Sequence, residues 1–318
     1  MKVLFVGLGN VSVMHGWALS GAGVDVTHVV RPGTLERHSV PVAMDVLDLR
    51  RDRTGPSRTT YRPRVVDEVT PGDGYELLVV ATGHPRAAAA AEEYGGRLPE
   101  TDVLMFTANW DGTAAVDAVL SRERYVWGYS VMSGGRDDDG TLVANIQKAY
   151  RVGALPGSRP GLLDRVVELF GRAGLAPDRK EDILAWLWTH HALVAGLIGA
   201  SMVHGGLPAA DEDLEPWVTM VAAARDGLAV AAARGVAVDR DPEAALYLTG
   251  DVKAAAARIR EAMLSRPHFE RTRTAGHLGS SPGQMLAFYR DVLTTGEHLG
   301  VEMPVLGSFK GELLGADG

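Results

Sequence analysis

The residues Gly7-Leu8-Gly9-Asn10-Val11-Ser12 have the types and spacing to cradle a charged ligand. They follow the apolar run Val3 to Val6, lead into helix-compatible spacing from Val13 to Ser20, and precede a second β-rich run from Val24 to Val30. Strand, glycine turn, helix and strand form the setting in which a glycine pair binds a dinucleotide. Gly7 permits the tight turn, and Gly9 lets the backbone approach a pyrophosphate whose charge the helix N-terminus stabilises. The third glycine position holds Ser12, a small change expected to loosen helix–strand packing slightly. At the end of the second strand an NAD site places an acid that binds the ribose hydroxyls. This chain has Arg31-Pro32-Gly33 there, and a guanidinium suits a 2′-phosphate. The expected cofactor is NADP.

Titratable groups that could move a proton lie further along. His190 shares a helical face with Ile183, Leu187, Val194 and Ile198. A histidine there is either a packed core residue or a proton donor working near neutral pH. His191 points to a neighbouring face and is the fallback donor. His84 follows an apolar strand in Thr82-Gly83-His84-Pro85, a loop placed where open α/β sheets bind ligands. Trp110 either stacks on a planar substrate or fills the core, and Asp111 is an acid/base group or a solvated loop acid. The adjacent histidines diverge on a helix and cysteine is absent, so no metal centre is expected.

The elements that must hold these groups alternate at first. Apolar strands are expected at residues 75–81, 102–106 and 125–132, with shorter ones near 40–46, 61–69, 141–146 and 150–155. A Gly/Asp turn is expected at 133–140. Helices fill 86–94 and 113–121. Pro156-Gly157-Ser158-Arg159-Pro160-Gly161 is a composition break read as the domain boundary. Beyond it the periodicity is helical, notably at 162–173, 182–202, 214–234 and 284–299. The fold class expected is α/β, a Rossmann domain with a doubly wound parallel sheet (residues 1–156) followed by an all-α domain (157–318).

Composition narrows the partners. The 32 basic and 40 acidic residues of the 318 give a net charge of −8, which argues against nucleic acid or an anionic membrane surface. The apolar N-terminus is short and ends in the glycine turn, so no signal peptide is expected. No uninterrupted apolar stretch approaches ~18 residues, so no membrane span is expected, and the location expected is cytoplasmic.

With these pieces in order, the chain resembles the ketopantoate reductase family over roughly residues 1–305. The resemblance rests on the glycine fingerprint, the strand from Leu77 to Pro85, and the segment Phe106 to Gly112 (FTANWDG). It continues through Trp127-Gly128, Gly153 to Gly157, the run EDILAWLWTHHALVAGLIGAS and Ser280-Ser281. It implies a Rossmann domain joined to a helical substrate and dimerisation domain, with hydride transfer in the cleft between them and a homodimer. Gly7, Gly9 and Arg31 match the family's cofactor positions, and Thr82 stands where the family has a lysine. Asn109 falls on an asparagine near the nicotinamide ribose and substrate, and Ser281 on a serine that binds the substrate acid. The catalytic lysine aligns with His190, two further asparagines become Val194 and Ile198, and the family's glutamate has no clear counterpart.

The expected function is therefore an NADP-dependent reductase of a ketone or imine more hydrophobic than ketopantoate. His190, Asn109 and Ser281 are its catalytic set, with Gly7, Leu8, Gly9, Asn10, Val11, Ser12, Arg31, Thr82 and Asn109 around the cofactor. The alternative is a protein of the same fold that keeps the cofactor and has lost redox chemistry.

Overall fold

The computed structural model describes residues 1–51, 55–276 and 281–315. The chain divides into two compact units, Met1–Ile183 and Leu184–Gly318. The division falls beyond the Pro156–Gly161 break expected from composition. Two elements after that break are bound to the first unit. Helix α2 (Leu162–Arg172) buries Val166, Leu169 and Phe170 in the same core as Phe106 and Tyr150, and strand β12 (Ala176–Arg179) pairs parallel with β11 (Ala149–Gly153).

The first unit is built on an eight-stranded sheet in the order β12-β11-β8-β7-β6-β1-β2-β5. Its other strands are β1 (Lys2–Val6), β2 (Asp25–Val29), β5 (Arg64–Val66), β6 (Leu77–Val80), β7 (Asp102–Phe106) and β8 (Tyr125–Ser130). From β5 to β8 every pairing is parallel, and β11 turns antiparallel on β8. β1, β6 and β7 are apolar apart from Lys2 and Asp102 at their starts and almost wholly buried, as strands covered on both faces must be. The chain steps outward from β1 to β2 and β5, then returns to β6 on the other side of β1. That reversal is the topological switch point at which such sheets bind ligands.

A second, four-stranded sheet runs β4-β3-β10-β9, with β3 (Val42–Asp48), β4 (Ser57–Tyr61), β9 (Ser133–Arg136) and β10 (Leu142–Ile146). Residues 133–140 are thus a strand and its hairpin rather than a turn alone. Gly134 makes the pairing possible, since a Cβ there would lie 2.3 Å from the Val143 carbonyl oxygen.

The second unit is helical. α3 (Ile183–His204) and α4 (Glu215–Ala233) are its longest helices. α5 (Pro242–Leu248), α6 (Val252–Leu264), α7 (Phe269–Ala275) and α8 (Pro282–Leu299) follow. α3 is long and apolar enough to cross a membrane by length and composition, yet 67% of its most apolar window is buried within the protein, as in the core helix of a bundle. The burial has a simple steric basis. A Cβ on Gly227 of α4 would lie 2.3 Å from the Ala192 carbonyl oxygen, and one on Gly196 of α3 would lie 2.4 Å from the Ala224 nitrogen. The two backbones touch where both helices lack side chains. α5 and α6 start on aspartate caps, Asp241 accepting from the Glu243 and Ala244 amides and Asp251 from Ala254. Asp226 of α4 accepts the Val305 and Leu306 amides at 2.8 and 2.9 Å, which ties the segment after α8 to the bundle.

Candidate functional site

In the first unit, register places the predicted cofactor residues on one edge. Phe5 lies opposite Val79, Val6 opposite Val29, and Val80 opposite Met105. The strands therefore deliver Gly7, Arg31, Thr82 and Asn109 to the same carboxyl-terminal edge of the sheet, with the switch point between β1 and β6. Gly7 adopts φ +80°, a conformation that side chains resist, and its amide donates to the Val29 carbonyl at 2.7 Å. Helix α1 (Asn10–Ser20) begins after Gly9 with no side-chain cap, so its first amides are open to an anion. A Cβ on Gly9 would meet nothing within 4 Å, so this stretch of backbone faces open space. Ser12 is buried, its hydroxyl 3.5 Å from the Val6 carbonyl, in the place where the fingerprint has its third glycine.

The turn is also held from beneath, by residues that its spacing does not reveal. His28 of β2 lies 3.1 Å through Nδ1 from the Gly7 carbonyl and 2.9 Å through Nε2 from the Tyr61 hydroxyl. Burial lowers its pKa to about 4, so the ring is neutral near pH 7. The Gly7 carbonyl can only accept, so Nδ1 carries the proton and Nε2 accepts from Tyr61. Gly16 of α1 makes room for this arrangement, because a Cβ there would lie 2.7 Å from both His28 Nε2 and the Tyr61 hydroxyl.

Arg31 is exposed. Its carbonyl accepts from the Thr34 hydroxyl at 2.7 Å in a turn closed by Gly33 at φ +76°. Asp67, just past β5, accepts from the Gly33 amide at 3.3 Å. An acid thus reaches this turn from a neighbouring strand, a contact that no local spacing announces. Thr82 and the loop after β7 are joined, as the Thr107 hydroxyl donates to the Thr82 carbonyl at 2.6 Å. Asn109 is buried and braces its own loop, donating to the Gly112 carbonyl and accepting from the Gly112 amide, both at 2.8 Å. Trp110 is 3% exposed and belongs to the core.

In the second unit, the ring of His190 stacks on Trp186 with centroids 4.8 Å apart, and its Nδ1 lies 3.5 Å from a Glu243 carboxylate oxygen. His191 is fully buried and stacks on Phe288 at 4.3 Å, with Nε2 3.2 Å from an Asp291 carboxylate oxygen. Both histidines thus have an aromatic wall and a carboxylate neighbour. Neither Glu243 nor Asp291 stood out in the sequence, although Phe288 and Asp291 have the i, i+3 spacing that shares a helix face. Val194 is half-buried and Ile198 buried. Ser281 occupies the N-cap position of α8 without a side-chain cap bond, and its carbonyl accepts the Gln284 and Met285 amides. Ser280 lies outside the described residues.

Residues 3–157 match the family model described as ketopantoate reductase PanE/ApbA. No curated protein sequence matches the chain. Among solved structures, it is similar to 2-dehydropantoate 2-reductase from Geobacter metallireducens GS-15, at 17% identity and TM-score 0.69, covering 100% of both chains. It is also similar to a D-mandelate dehydrogenase solved with NADH and anilino(oxo)acetate, at 13% identity and TM-score 0.70, covering 98% of this chain and 97% of that one. A dimeric ketopantoate reductase from Staphylococcus aureus is similar at 11% identity and TM-score 0.63, with coverage of 98% and 97%. At these identities the structures speak for a shared fold. Over residues 3–157 the chain is therefore similar to the ketopantoate reductase PanE/ApbA family.

Proposed function

We propose that the protein is a nicotinamide-dependent oxidoreductase that reduces the carbonyl of a 2-oxo acid, or the corresponding imine, with NADPH as hydride donor. The observation that carries this reading is the uncapped glycine turn at the switch point of the sheet, with Arg31 at the end of the neighbouring strand. The α1 N-terminus would hold the pyrophosphate, Leu8 to Ser12 would line it, and Arg31 would pair with the 2′-phosphate. Thr82 and Asn109 lie on the same edge and would border the nicotinamide half.

Hydride addition to a carbonyl carbon leaves alkoxide charge on oxygen, which a proton donor must quench. His190 is the proposed donor, with a Glu243 carboxylate oxygen 3.5 Å from its Nδ1. Ser281 would position the substrate acid. Val194 and Ile198 stand where the family has asparagines, so the substrate side chain is expected to be more apolar than that of ketopantoate. Two solved neighbours are described as acting on 2-dehydropantoate or as a D-mandelate dehydrogenase, both small 2-oxo or 2-hydroxy acids. A homodimer is proposed by analogy with the dimeric Staphylococcus aureus protein.

A specific observation favours a second donor. His191 has the shorter carboxylate contact, 3.2 Å to Asp291, and deeper burial. Titrating NADPH and NADH into the protein, then following NADPH consumption against aliphatic and aryl 2-oxo acids, tests the whole reading. Tight NADPH binding with turnover on the apolar 2-oxo acids is expected. Binding without turnover on any carbonyl would favour the non-redox alternative, and binding of neither nucleotide would remove the proposal.

A further inference from the structure

The first unit has a cavity of about 650 Å³ away from the glycine turn. It is lined by Trp17, Asp48, Arg50, Arg51, Arg58 and Arg172 among others. Gly21, just past the end of α1, and Gly174, just past α2, also border it. It therefore opens at the amino-terminal edge of the parallel strands. The eleven residues of α1 separate it from the cofactor edge by roughly 16 Å at 1.5 Å per residue.

Among the described lining residues one acid, Asp48, stands against four arginines. Arg50 is fully engaged: Nε and Nη2 each reach an Asp48 carboxylate oxygen at 2.8 Å, Nη1 donates to the Ala173 carbonyl at 2.6 Å, and the guanidinium lies 5.3 Å over the Trp17 ring. Burial would raise the pKa of Asp48, but the hydrogen bonds and charge of Arg50 outweigh it and hold the carboxyl below its usual range. Asp48 is thus taken up by Arg50, with Arg51 Nε a second and longer contact at 4.0 Å. Arg51, Arg58 and Arg172 remain, all exposed and all lining the same cavity. They come from three places: the end of β3, strand β4 and the last turn of α2. Capping of a helix end accounts for Arg172 alone. Arg58 also has the Asp139 charge near it and Asp45 opposite it on β3, yet like charges that line one cavity repel unless an anion offsets them.

We propose that this cavity binds a phosphorylated small molecule, with Arg51, Arg58 and Arg172 on the phosphates and the Trp17 indole as a flat wall for an attached ring. Forked guanidinium groups suit phosphate oxygens, and the volume falls in the range of small-ligand pockets. The site is separate from that of the cofactor and does not depend on the redox reading.

The test is a calorimetric titration of inorganic pyrophosphate, and separately of ATP, into the full-length protein at low ionic strength. Hydrogen exchange then locates each site. Expected are protection at residues 57–59 and 172–174, and a Kd at least tenfold weaker in the Arg58→Glu/Arg172→Glu variant. An Arg58→Lys/Arg172→Lys variant should keep most of the affinity, which separates loss of charge from loss of fold. ATP binding more tightly than pyrophosphate would support the Trp17 wall. Absence of heat, protection confined to residues 9–12, or unchanged affinity in the double glutamate variant would each overturn the proposal.

Discussion

The glycine-turn edge of the first unit and the histidine-bearing helix of the second reach their chemistry by different routes. Gly7 to Ser12 owes its shape to its own residue types: a left-handed glycine, a helix that begins uncapped, and a strand directly before it. Any chain with that local order presents the same amides. His190 and His191 sit on a helix whose periodicity fixes only which way each side chain points. What they can do depends on Trp186 and Glu243 in one case and on Phe288 and Asp291 in the other. Trp186 lies four residues away on the same helix. Glu243, Phe288 and Asp291 lie on helices about 50 to 100 residues later in the chain, so most of the second route could be read only in three dimensions. Even the first route has such a layer, since His28 and Tyr61 hold the Gly7 carbonyl from outside the motif.

Acid provides the strongest way to sharpen this contrast. His15 and His28 are buried in the first unit with pKa values lowered to about 4, chiefly by desolvation. Unfolded, each titrates near 6.5, so the unfolded state binds more protons between pH 6.5 and 4. Their neutrality supports folding fully above that window, and the support fades as pH falls through it. The expected loss is on the order of 3 kcal/mol for each histidine by pH 4, seen as a falling urea midpoint. His28→Gln should show a shallower fall. If the slope is the same, His28 is not the titrating group.

Next in size is the proposed proton donor. His190→Ala should lower kcat by ~10²-fold, with nucleotide affinity unchanged. Comparison with His191→Ala decides between the two histidines, because the acid is the one whose loss acts on kcat and flattens the pH profile. Equal and small effects from both would break the assignment of proton transfer to α3.

A smaller effect is expected from Gly16→Ala, which drives a methyl into His28 and Tyr61. Overpacking of this kind costs roughly 1–3 kcal/mol, and the displaced His28 should also weaken nucleotide binding. Loss of stability without loss of binding would confine His28 to a packing role. Smallest is Arg31→Ala, expected to weaken NADPH binding about tenfold, close to 1.4 kcal/mol, while leaving NADH unaffected. Equal weakening of both nucleotides would show that Arg31 does not read the 2′-phosphate, and would turn attention to Asp67 at the same turn.

Much of the fold was legible because it rests on short-range rules. Apolar strands, the glycine turn and the long helices follow from periodicity and from residues that start and stop elements. The second sheet was not legible as a sheet. Its strands at 42–48 and 142–146 pair parallel across nearly a hundred residues, and its glycine-rich edge at 133–136 reads locally as a turn. The division into compact units falls later than the composition break for a related reason. Pro156 to Gly161 has the composition of a linker, but α2 beyond it returns to the sheet because Phe170 completes an aromatic cluster with Phe106 and Tyr150.

The sequence by itself determined the glycine-turn edge, since a φ that only glycine accepts easily and an open helix N-terminus are properties of consecutive residues. It also determined that α3 is apolar and that His190 and His191 diverge on it. Only the tertiary structure decided that Gly196 and Gly227 let α3 and α4 meet backbone to backbone, and which carboxylate each histidine faces. It alone assembled three arginines from separate elements around one cavity. The physical reason is the range of the interactions involved. Backbone conformation is set within a few residues, whereas ion pairs, close packing and cavities belong to surfaces that exist only once distant segments have met.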